Sequence, residues 1–382
     1  GPNEYSTRGG ADWKAKLVAY QQRLYEEVKG DPALSSLPVI GPSITHNDQQ
    51  ELGDVSDFLD YGNIHSYPEG NPPEYKMGSI VERAAYNSAS KPIVATESGY
   101  TNALNWTPTG PGENKPISEA AAAAYFPRLF FEYFIRHIAR TFSYELVDQR
   151  PNPGLDDREE HFGLLRNDLS EKPAFSVLRN TIDILEDPGP EFSPQSLDYV
   201  LSEGGATLHS ALLQKRDGRF YLALWRLKSV WNPDEKKTLI APSEPVTVSV
   251  ELGVKSYAVY SPIASSEPIL SVSQPTESLT VDVGPEVMIV ELTPGVPASP
   301  VATPSPFPPP LVPLPAEHCI VPRLKGKTLQ RSRKRSKIAH CKIGKFKKKV
   351  GVTVRAGRVV KQSPRPGSVL PLGGQIRVTL GS

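Results

Sequence analysis

The stretch KPIVATESGY, residues 91–100, decides how the first half of the chain is interpreted. Ile93, Val94 and Ala95 form a short apolar run that predicts a buried strand, and Glu97 stands at the end of that run. Charged residues are seldom carried into the interior unless they have a partner or a task there. The stretch therefore predicts a strand whose carboxyl end presents a carboxylate.

Strands and helices alternate on both sides of this stretch. Short apolar runs predict strands at 37–46, 60–68 and 139–148, and apolar residues at steps of three and four predict helices at 12–29, 74–89, 118–137 and 171–186. Ser118 is suited to cap the third helix, and Pro127 predicts a kink inside it. This alternation predicts parallel βα units, where functional residues collect at the carboxyl ends of strands.

Two glutamates at strand ends suggest sugar chemistry. Glycoside cleavage requires two carboxyl groups across the scissile bond, and we assign these to Glu4, in GPNEY at residues 1–5, and Glu97. Other polar or aromatic side chains at strand ends or in nearby loops are candidates to bind the sugar or hold the carboxylates; they are Asn3, His46, His65, Tyr67, Trp106, Tyr144 and Glu145.

Each of these residues also has an ordinary interpretation. Glu4 alone is typical of a solvated loop, and His65 alone is typical of a strand histidine with its hydrogen bonds satisfied. Trp106, in ALNWTP, is equally typical of a residue that pins a loop. The order of the motifs along the chain shifts the balance toward a shared site.

Residues 1–187 resemble the second half of a clan A glycoside hydrolase, the (β/α)8 group that includes families 5 and 39. GPNEY resembles the fourth barrel strand with its Asn-Glu, and ATESGY resembles the seventh strand with its nucleophile. VIGPSITH, GNIHSYP and RTFSYELVD resemble strands five, six and eight, and the KPA turn before the last helix is similar to the end of these barrels.

The resemblance implies that Glu4 is the acid/base, Glu97 the nucleophile of a retaining hydrolase, and that neither metal nor cofactor is needed. It implies that His65 and Tyr67 position Glu97, and that Asn3 binds the sugar 2-hydroxyl. Strands one to three have no counterpart, so we expect residues 1–382 alone to be inactive. Many clan members have Trp at the end of strand eight, where this chain has Tyr144 and Glu145.

Residues 191–294 change character. Short alternating and β-branched runs, such as PVTVSVEL and SLTVDVGPEVMIVEL, are broken by Gly and Pro and predict an antiparallel β-sandwich. Ten of the 22 residues from Pro294 to Pro315 are proline. The segment 295–316 is therefore predicted to be an extended linker, although such segments also serve as ligands for aromatic grooves.

The last part of the chain is strongly basic. Residues 317–382 contain 18 Lys or Arg and one acid, Glu317, whereas the rest contains 25 basic and 41 acidic residues. Such a tail is drawn to anionic polymers, which include wall polymers and nucleic acids, or to its own acidic body. Phe346 is its one aromatic residue, which disfavours nucleic-acid binding by base stacking. Both cysteines, Cys319 and Cys341, lie here and predict a disulfide rather than two free thiols, which favours an oxidising compartment.

Residues 317–382 resemble a PASTA domain through VPRLKGKTL, C-K-I-G and VVKQSPRPGSVLPLGGQIRVTL, in that order. The resemblance implies a small α+β domain, a bacterial extracellular or cell-wall location, and peptidoglycan as a partner. No apolar run in the sequence is long enough to span a membrane. Two functions therefore compete: a retaining glycoside hydrolase acting near the wall, and a non-enzymatic wall-binding protein with a degenerate barrel.

Overall fold

The computed structural model describes residues 2–45, 48–110, 112–202 and 205–295, together with 318–322, 324–325, 327–339, 341–344, 347–349, 357–365, 368–371 and 373–381. The candidate His46, the aromatic Phe346 and all of the predicted linker except Gly295 lie outside these residues. The chain divides into two compact units, Gly1–Pro310 and Leu311–Ser382.

The first half of the larger unit alternates helices with short strands. Its elements are α1 (Trp13–Gly30), α2 (Gln49–Leu52), β1 (Gly62–His65), α3 (Met77–Ser88), β2 (Ile93–Glu97), α4 (Glu119–Phe134), β3 (Arg140–Thr141) and α5 (Pro173–Leu185). The four predicted helices and the strand at 91–100 are thus present. The Ser118 side chain accepts a hydrogen bond from the Ala121 amide and caps α4, and Pro127 lies inside that helix.

The three strands form one parallel sheet in the order β1, β2, β3. A parallel bridge between Ile40 and Tyr61 adds a further segment beside β1. Four extended segments therefore lie side by side in chain order, as the alternation of strands and helices predicted. Ile64, Ile93, Val94 and Ala95 are buried, so the apolar run at 93–95 is core.

Two predicted strands are shorter than expected. Within 37–45 the backbone pairs only near Ile40, because Pro38 and Pro42 lack the amide hydrogen that a longer ladder requires. The predicted strand at 139–148 is reduced to Arg140–Thr141 before the chain bends. Asn3 and Glu4 lie in a turn, with Glu4 in the left-handed backbone region (φ 44°), rather than at the end of a strand.

A buried lysine anchors the loops that precede the last helix of this half. Lys172 is 2% exposed, and its Nζ donates to Asp148 Oδ1 at 2.8 Å and to Asn102 Oδ1 at 3.3 Å. Pro173 then occupies the first turn of α5, where a missing amide hydrogen costs nothing. The KPA turn therefore starts the helix and ties it to the loops that carry Asn102 and Asp148.

Residues 199–294 form an antiparallel sheet of seven strands. These are β4 (Tyr199–Ser202), β5 (Leu208–Gln214), β6 (Phe220–Arg226), β9 (Glu244–Tyr260), β10 (Pro268–Val272), β11 (Thr276–Val283) and β12 (Met288–Pro294), and a separate small hairpin consists of β7 (Trp231–Asn232) and β8 (Lys237–Thr238). The first part of β9 pairs with β4 and β11, and its second part pairs with β10 and β12. Side chains such as Leu222, Val248 and Val290 are fully buried in one cluster between these two parts.

The antiparallel sheet packs against α4 through a second apolar cluster. Phe131 of α4 stacks on Trp225 of β6 with ring centroids 5.6 Å apart. Beside this contact the Glu132 carboxylate, which is 0% exposed, accepts hydrogen bonds from His209 Nδ1 and Trp225 Nε1 at 2.8 and 2.7 Å. Helix α4 and the antiparallel sheet therefore share one packed core.

The described residues of the smaller unit form a helix, α6 (Leu329–Ile338), and short strands at His318–Ile320, Lys342–Ile343, Lys347–Lys349, Val359–Ser363, Val369–Pro371 and Gln375–Gly381. Cys319 and Cys341 form the predicted disulfide inside an apolar cluster. Thr328 caps α6 by accepting from the Arg331 amide. None of the helices formed by the described residues is long and apolar enough to cross a membrane.

Candidate active site

The register of β1 against β2 brings the predicted site residues together. His65 at the end of β1 is the partner of Glu97 at the end of β2, after an irregularity between Ile64 and His65. Parallel strands end at one edge of the sheet, so their terminal side chains meet there. This pairing carries Glu97 from an apolar strand to a polar cluster.

His65 lies between the two predicted catalytic glutamates. Its Nδ1 is 3.1 Å from Glu4 Oε1 and 3.3 Å from Glu97 Oε2. The imidazole is 4% exposed, whereas the side chains of Glu4 and Glu97 are 35% and 22% exposed. The histidine is therefore the buried floor of the cluster, and the carboxylates form the part that a substrate can reach.

Tyr67 contacts the second glutamate. Its hydroxyl donates to Glu97 Oε2 at 2.9 Å. Burial, and next the charge of Glu97, raise the pKa of the Tyr67 hydroxyl far above its ordinary value, so the group stays protonated and remains a donor. Its ring packs edge-on against Phe162, with centroids 5.6 Å apart.

The turn that carries Glu4 is tied to the segment after Ile40. Ser43 Oγ accepts from the Glu4 amide at 3.3 Å and donates to Asn3 Oδ1 at 3.1 Å. Ser6 and Thr45 add a hydrogen bond between their hydroxyls at 3.2 Å. These contacts place Glu4 beside His65 although 61 residues separate the two along the chain.

Two polar residues behind His65 were not singled out in the sequence. Thr96 Oγ1 lies 2.9 Å from His65 Nε2 and donates to Asn63 Oδ1 at 2.7 Å. Asn63 Nδ2 in turn donates to the Gly41 carbonyl oxygen at 3.2 Å. The sequence contained a pattern that could have identified them. Asn63 and His65 alternate on β1, so they share a face of the strand, and Thr96 directly precedes Glu97.

Tyr144 and Glu145, both predicted to bind the sugar, share Gln149 as a hydrogen-bond partner. The Gln149 side-chain amide donates to the Tyr144 hydroxyl at 2.9 Å and to Glu145 Oε2 at 3.2 Å. Burial, together with the charges of Asp148, Glu159 and Glu160, raises the pKa of Glu145 despite the bond from Gln149. Tyr144 packs on the same Phe162 ring that Tyr67 contacts. Gln149 is thus a partner of two predicted sugar-binding residues that the sequence analysis did not identify.

Gly99 allows the segment after β3 to approach the end of β2 closely. A Cβ at Gly99 would lie 2.5 Å from the Tyr144 carbonyl oxygen, which no side chain would tolerate. The Tyr144 amide also donates to the Ser98 carbonyl at 2.8 Å. The glycine in ESG therefore permits the chain after β3 to lie directly against the residue that follows Glu97.

Trp106 occupies a separate loop. Its backbone amide donates to the Leu155 carbonyl at 3.0 Å, and Lys236 Nζ donates to its carbonyl oxygen at 3.0 Å. The Arg158 guanidinium lies over its ring, 5.2 Å from the centroid. Among the described contacts, none joins Trp106 to Glu4 or Glu97, so its role in sugar binding stays a prediction.

A cavity of about 300 Å³ adjoins the cluster. Its polar lining includes Asn3, Ser43, Asn63, His65, Thr96 and Glu97. The ligand atoms of Glu4, His65 and Glu97 all lie within 4.8 Å of one another, a spacing compatible with a shared proton or a bound cation. That no metal is required here remains a prediction.

Residues 320–382 match the family model of the PASTA domain, which confirms the resemblance of the tail. The chain matches no curated protein. The carboxyl-terminal residues 320–382 are therefore a PASTA domain.

Several solved glycoside hydrolases show partial similarity to this chain. A family 39 glycoside hydrolase from the gut symbiont Bacteroides cellulosilyticus WH2 is 15% identical, with 72% of this chain and 55% of that chain covered and a TM-score of 0.47. A family 17 β-1,3-glucanosyltransferase from Rhizomucor miehei is 21% identical over 46% and 61% of the two chains, with a TM-score of 0.36. A glucosidase from Croceicoccus marinus is 12% identical over 75% and 68%, with a TM-score of 0.44. The chain spans just over half the length of the family 39 enzyme.

Proposed function

We propose that the larger unit carries the active site of a retaining glycoside hydrolase and contains barrel strands four to eight of a clan A fold. The observation that carries the proposal is the spacing of two carboxylates. Oxygens of Glu4 and Glu97 lie within 4.8 Å of each other. Retaining enzymes hold their two carboxyl groups about 5–5.5 Å apart, whereas inverting enzymes leave about 6.5–9.5 Å for a water molecule.

The surroundings of the two glutamates suit different roles. Glu97 receives the Tyr67 hydroxyl bond, which stabilises an ionised carboxylate and orients its oxygen for attack. Glu4 is the more exposed of the two and lies against the buried His65, with which it can exchange a proton. We therefore assign Glu97 as the nucleophile and Glu4 as the acid/base.

The reaction then follows in two balanced steps. Glu4 gives its proton to the glycosidic oxygen while Glu97 attacks the anomeric carbon, so the leaving alcohol departs and a glycosyl ester forms on Glu97. Glu4, now ionised, takes a proton from water as that water attacks the anomeric carbon. The ester bond to Glu97 breaks, the sugar leaves with its original configuration, and both glutamates return to their starting states.

The sugar-binding residues are proposals of the same kind. Asn3 accepts from Ser43 through Oδ1, which turns its amide nitrogen away from Ser43 and makes it available to the sugar 2-hydroxyl. Tyr144 and Glu145 provide an aromatic surface and a hydroxyl-binding carboxylate at the other side. Such groups suit an oligosaccharide or polysaccharide, whose rings stack on aromatic faces and offer many hydroxyls.

The test uses the full-length protein. A panel of aryl glycosides should be hydrolysed, Glu97→Gln should lower kcat by at least about 10³-fold, and a 2-fluoro glycoside should label Glu97 covalently. Glu27→Gln, which removes an exposed carboxylate paired with Arg23 on α1, is the matched control and should leave kcat unchanged. Hydrolysis that persists in Glu97→Gln, or a label on another residue, would reject the assignment.

The PASTA match favours a second candidate function, a non-enzymatic wall-binding protein with a degenerate barrel. The disulfide and the excess of positive charge in the tail support an extracellular or cell-wall location and an anionic partner such as peptidoglycan. We propose that the tail binds peptidoglycan in either case. A full-length protein that sediments with purified peptidoglycan but cleaves no glycoside would favour the second function over the first.

A further inference from the structure

A chain of hydrogen bonds behind His65 determines which imidazole nitrogen carries a hydrogen and which one faces the carboxylates. The chain begins at the Gly41 carbonyl, which accepts from Asn63 Nδ2 at 3.2 Å. A carbonyl oxygen only accepts, so the amide must turn its nitrogen to Gly41 and its Oδ1 to Thr96. The orientation of Asn63 therefore follows from a backbone group that cannot rotate.

The direction of the next two bonds then follows. The Thr96 hydroxyl has one hydrogen, and it donates this hydrogen to Asn63 Oδ1 at 2.7 Å. Toward His65 Nε2, 2.9 Å away, the same hydroxyl oxygen can only accept. His65 must therefore carry a hydrogen on Nε2.

We propose that Asn63 and Thr96 are positioning residues that hold His65 with Nε2 protonated, so that Nδ1 shares one proton with Glu4. This inference rests on the proposed function for its catalytic meaning, whereas the tautomer itself can be measured without activity. Nδ1 faces Glu4 Oε1 at 3.1 Å and Glu97 Oε2 at 3.3 Å. Two arrangements with the same number of protons fit the contact between Nδ1 and Glu4, and the one with an imidazolium also supplies a hydrogen for the contact with Glu97 Oε2.

In one arrangement Glu4 is protonated and donates to Nδ1, and in the other an imidazolium donates to two carboxylates. They differ by the movement of a single proton over the 3.1 Å between Glu4 and Nδ1. The acid/base proton can therefore reside on Glu4 or on the buried His65 before substrate binds. Tyr67 donates to the opposite partner, Glu97, and burial together with the charges of Glu145, Glu159 and Glu97 raises the pKa of the Tyr144 hydroxyl.

The opposite tautomer would work against catalysis. If Nε2 lost its hydrogen, a neutral imidazole would place it on Nδ1, which would donate to the Glu4 carboxylate. A hydrogen bond to the charged form stabilises that form, so Glu4 would give up its proton at lower pH. The hydrogen-bonded relay from the Gly41 carbonyl through Asn63 and Thr96 to His65 therefore keeps Glu4 protonated, and so available as an acid, up to higher pH.

The first test is nitrogen-15 NMR of residues 1–382 with labelled histidine, with His65→Gln used to assign the signal. Nε2 of His65 should give the signal of a protonated ring nitrogen at pH 7. In Thr96→Val this signal should move toward that of an unprotonated nitrogen, and Thr96→Ser, which keeps the hydroxyl, should match the wild type. An unprotonated Nε2 in the wild type, or a Thr96→Val spectrum identical to it, would overturn the proposal.

The second test measures activity against pH in the full-length protein. Thr96→Val should lower kcat/KM about tenfold and move the alkaline limb of the profile to lower pH, while Thr96→Ser restores both. Asn63→Ala should act in the same direction, because it frees the Thr96 hydrogen to donate to Nε2, and it serves if Thr96→Val does not fold. Unshifted profiles in both variants contradict the relay, whereas a protonated Nε2 in a protein without glycosidase activity would instead reject the proposed function.

Discussion

The Tyr67 hydroxyl lies 2.9 Å from Glu97 Oε2, and these two residues come from the ends of neighbouring parallel segments. The Tyr67 hydroxyl stays protonated, and it donates to Glu97, the carboxylate proposed as nucleophile. Because the Tyr67 ring packs against Phe162, we expect its hydroxyl to fix the orientation in which Glu97 attacks in the proposed reaction.

Tyr67→Phe should therefore slow the formation of the glycosyl ester. A hydrogen bond to a charged group contributes about 1.5–3 kcal/mol, which corresponds to a loss of about ten- to hundredfold in kcat. The rate of labelling by a 2-fluoro glycoside measures this step directly. Tyr144→Phe is the control, since its hydroxyl accepts from Gln149 rather than donating to Glu97, and an equal loss in both variants would contradict the special role of Tyr67.

Gln149→Leu should weaken substrate binding rather than the chemical step. The amide of Gln149 holds Tyr144 and Glu145 in one arrangement, and without it both side chains lose a partner. We expect KM to rise about three- to tenfold while kcat changes less than twofold, as expected when uniform binding is lost. Gln149→Glu is a matched variant that keeps the size but repels Glu145, so it should raise KM further. A fall in kcat with unchanged KM would contradict the assignment of these residues to binding.

Much of the site could be predicted from the sequence because its residues stand where strand patterns end. Glu97 follows the apolar run at 93–95, and His65 and Tyr67 alternate on the preceding strand. Their meeting required only that the strands be parallel and adjacent. The pairing of Cys319 with Cys341 was equally accessible, because the chain contains no other cysteine.

Other features depend on contacts that no local pattern encodes. Thr96 and Asn63 are ordinary polar strand residues, and their relay exists only because the register places both next to His65. Gln149 reaches Tyr144 across a bend after β3, which shortened the strand expected at 139–148. The strand expected at 37–46 was limited by Pro38 and Pro42, whose missing amide hydrogens outweighed the apolar composition.

The buried Glu132 should make the stability of the larger unit depend on pH. Burial alone would raise its pKa, but the hydrogen bond from His209, the charge of Arg136 and the bond from Trp225 outweigh burial and hold the pKa below its ordinary value. A carboxyl group whose pKa is lower in the folded state stabilises the fold above its unfolded pKa. This stabilisation is lost as pH falls through the folded value.

Thermal unfolding from about pH 6 down to about pH 3, around the ordinary glutamate pKa, measures this dependence. The melting temperature should fall more steeply in the wild type than in Glu132→Gln. At pH 7, Glu132→Leu should cost about 3 kcal/mol, because it leaves Arg136, His209 and Trp225 without their shared acceptor. Glu159→Gln removes an exposed carboxylate and should change stability by less than about 0.5 kcal/mol. Equal effects of Glu132→Leu and Glu159→Gln would show that the buried cluster contributes nothing.

Loss of the disulfide should destabilise the smaller unit alone. Cys319 and Cys341 are 22 residues apart, and closing a loop of this length removes unfolded-state entropy worth about 3 kcal/mol. Both cysteines belong to Leu311–Ser382, so the transition of Gly1–Pro310 should keep its temperature. Calorimetry of the Cys319→Ser, Cys341→Ser double variant should show one transition lowered and the other unchanged. The wild type in reducing buffer should behave like the double variant, because both lack the same bond. A shift in both transitions would mean that the bridge stabilises more of the chain than the unit that contains it.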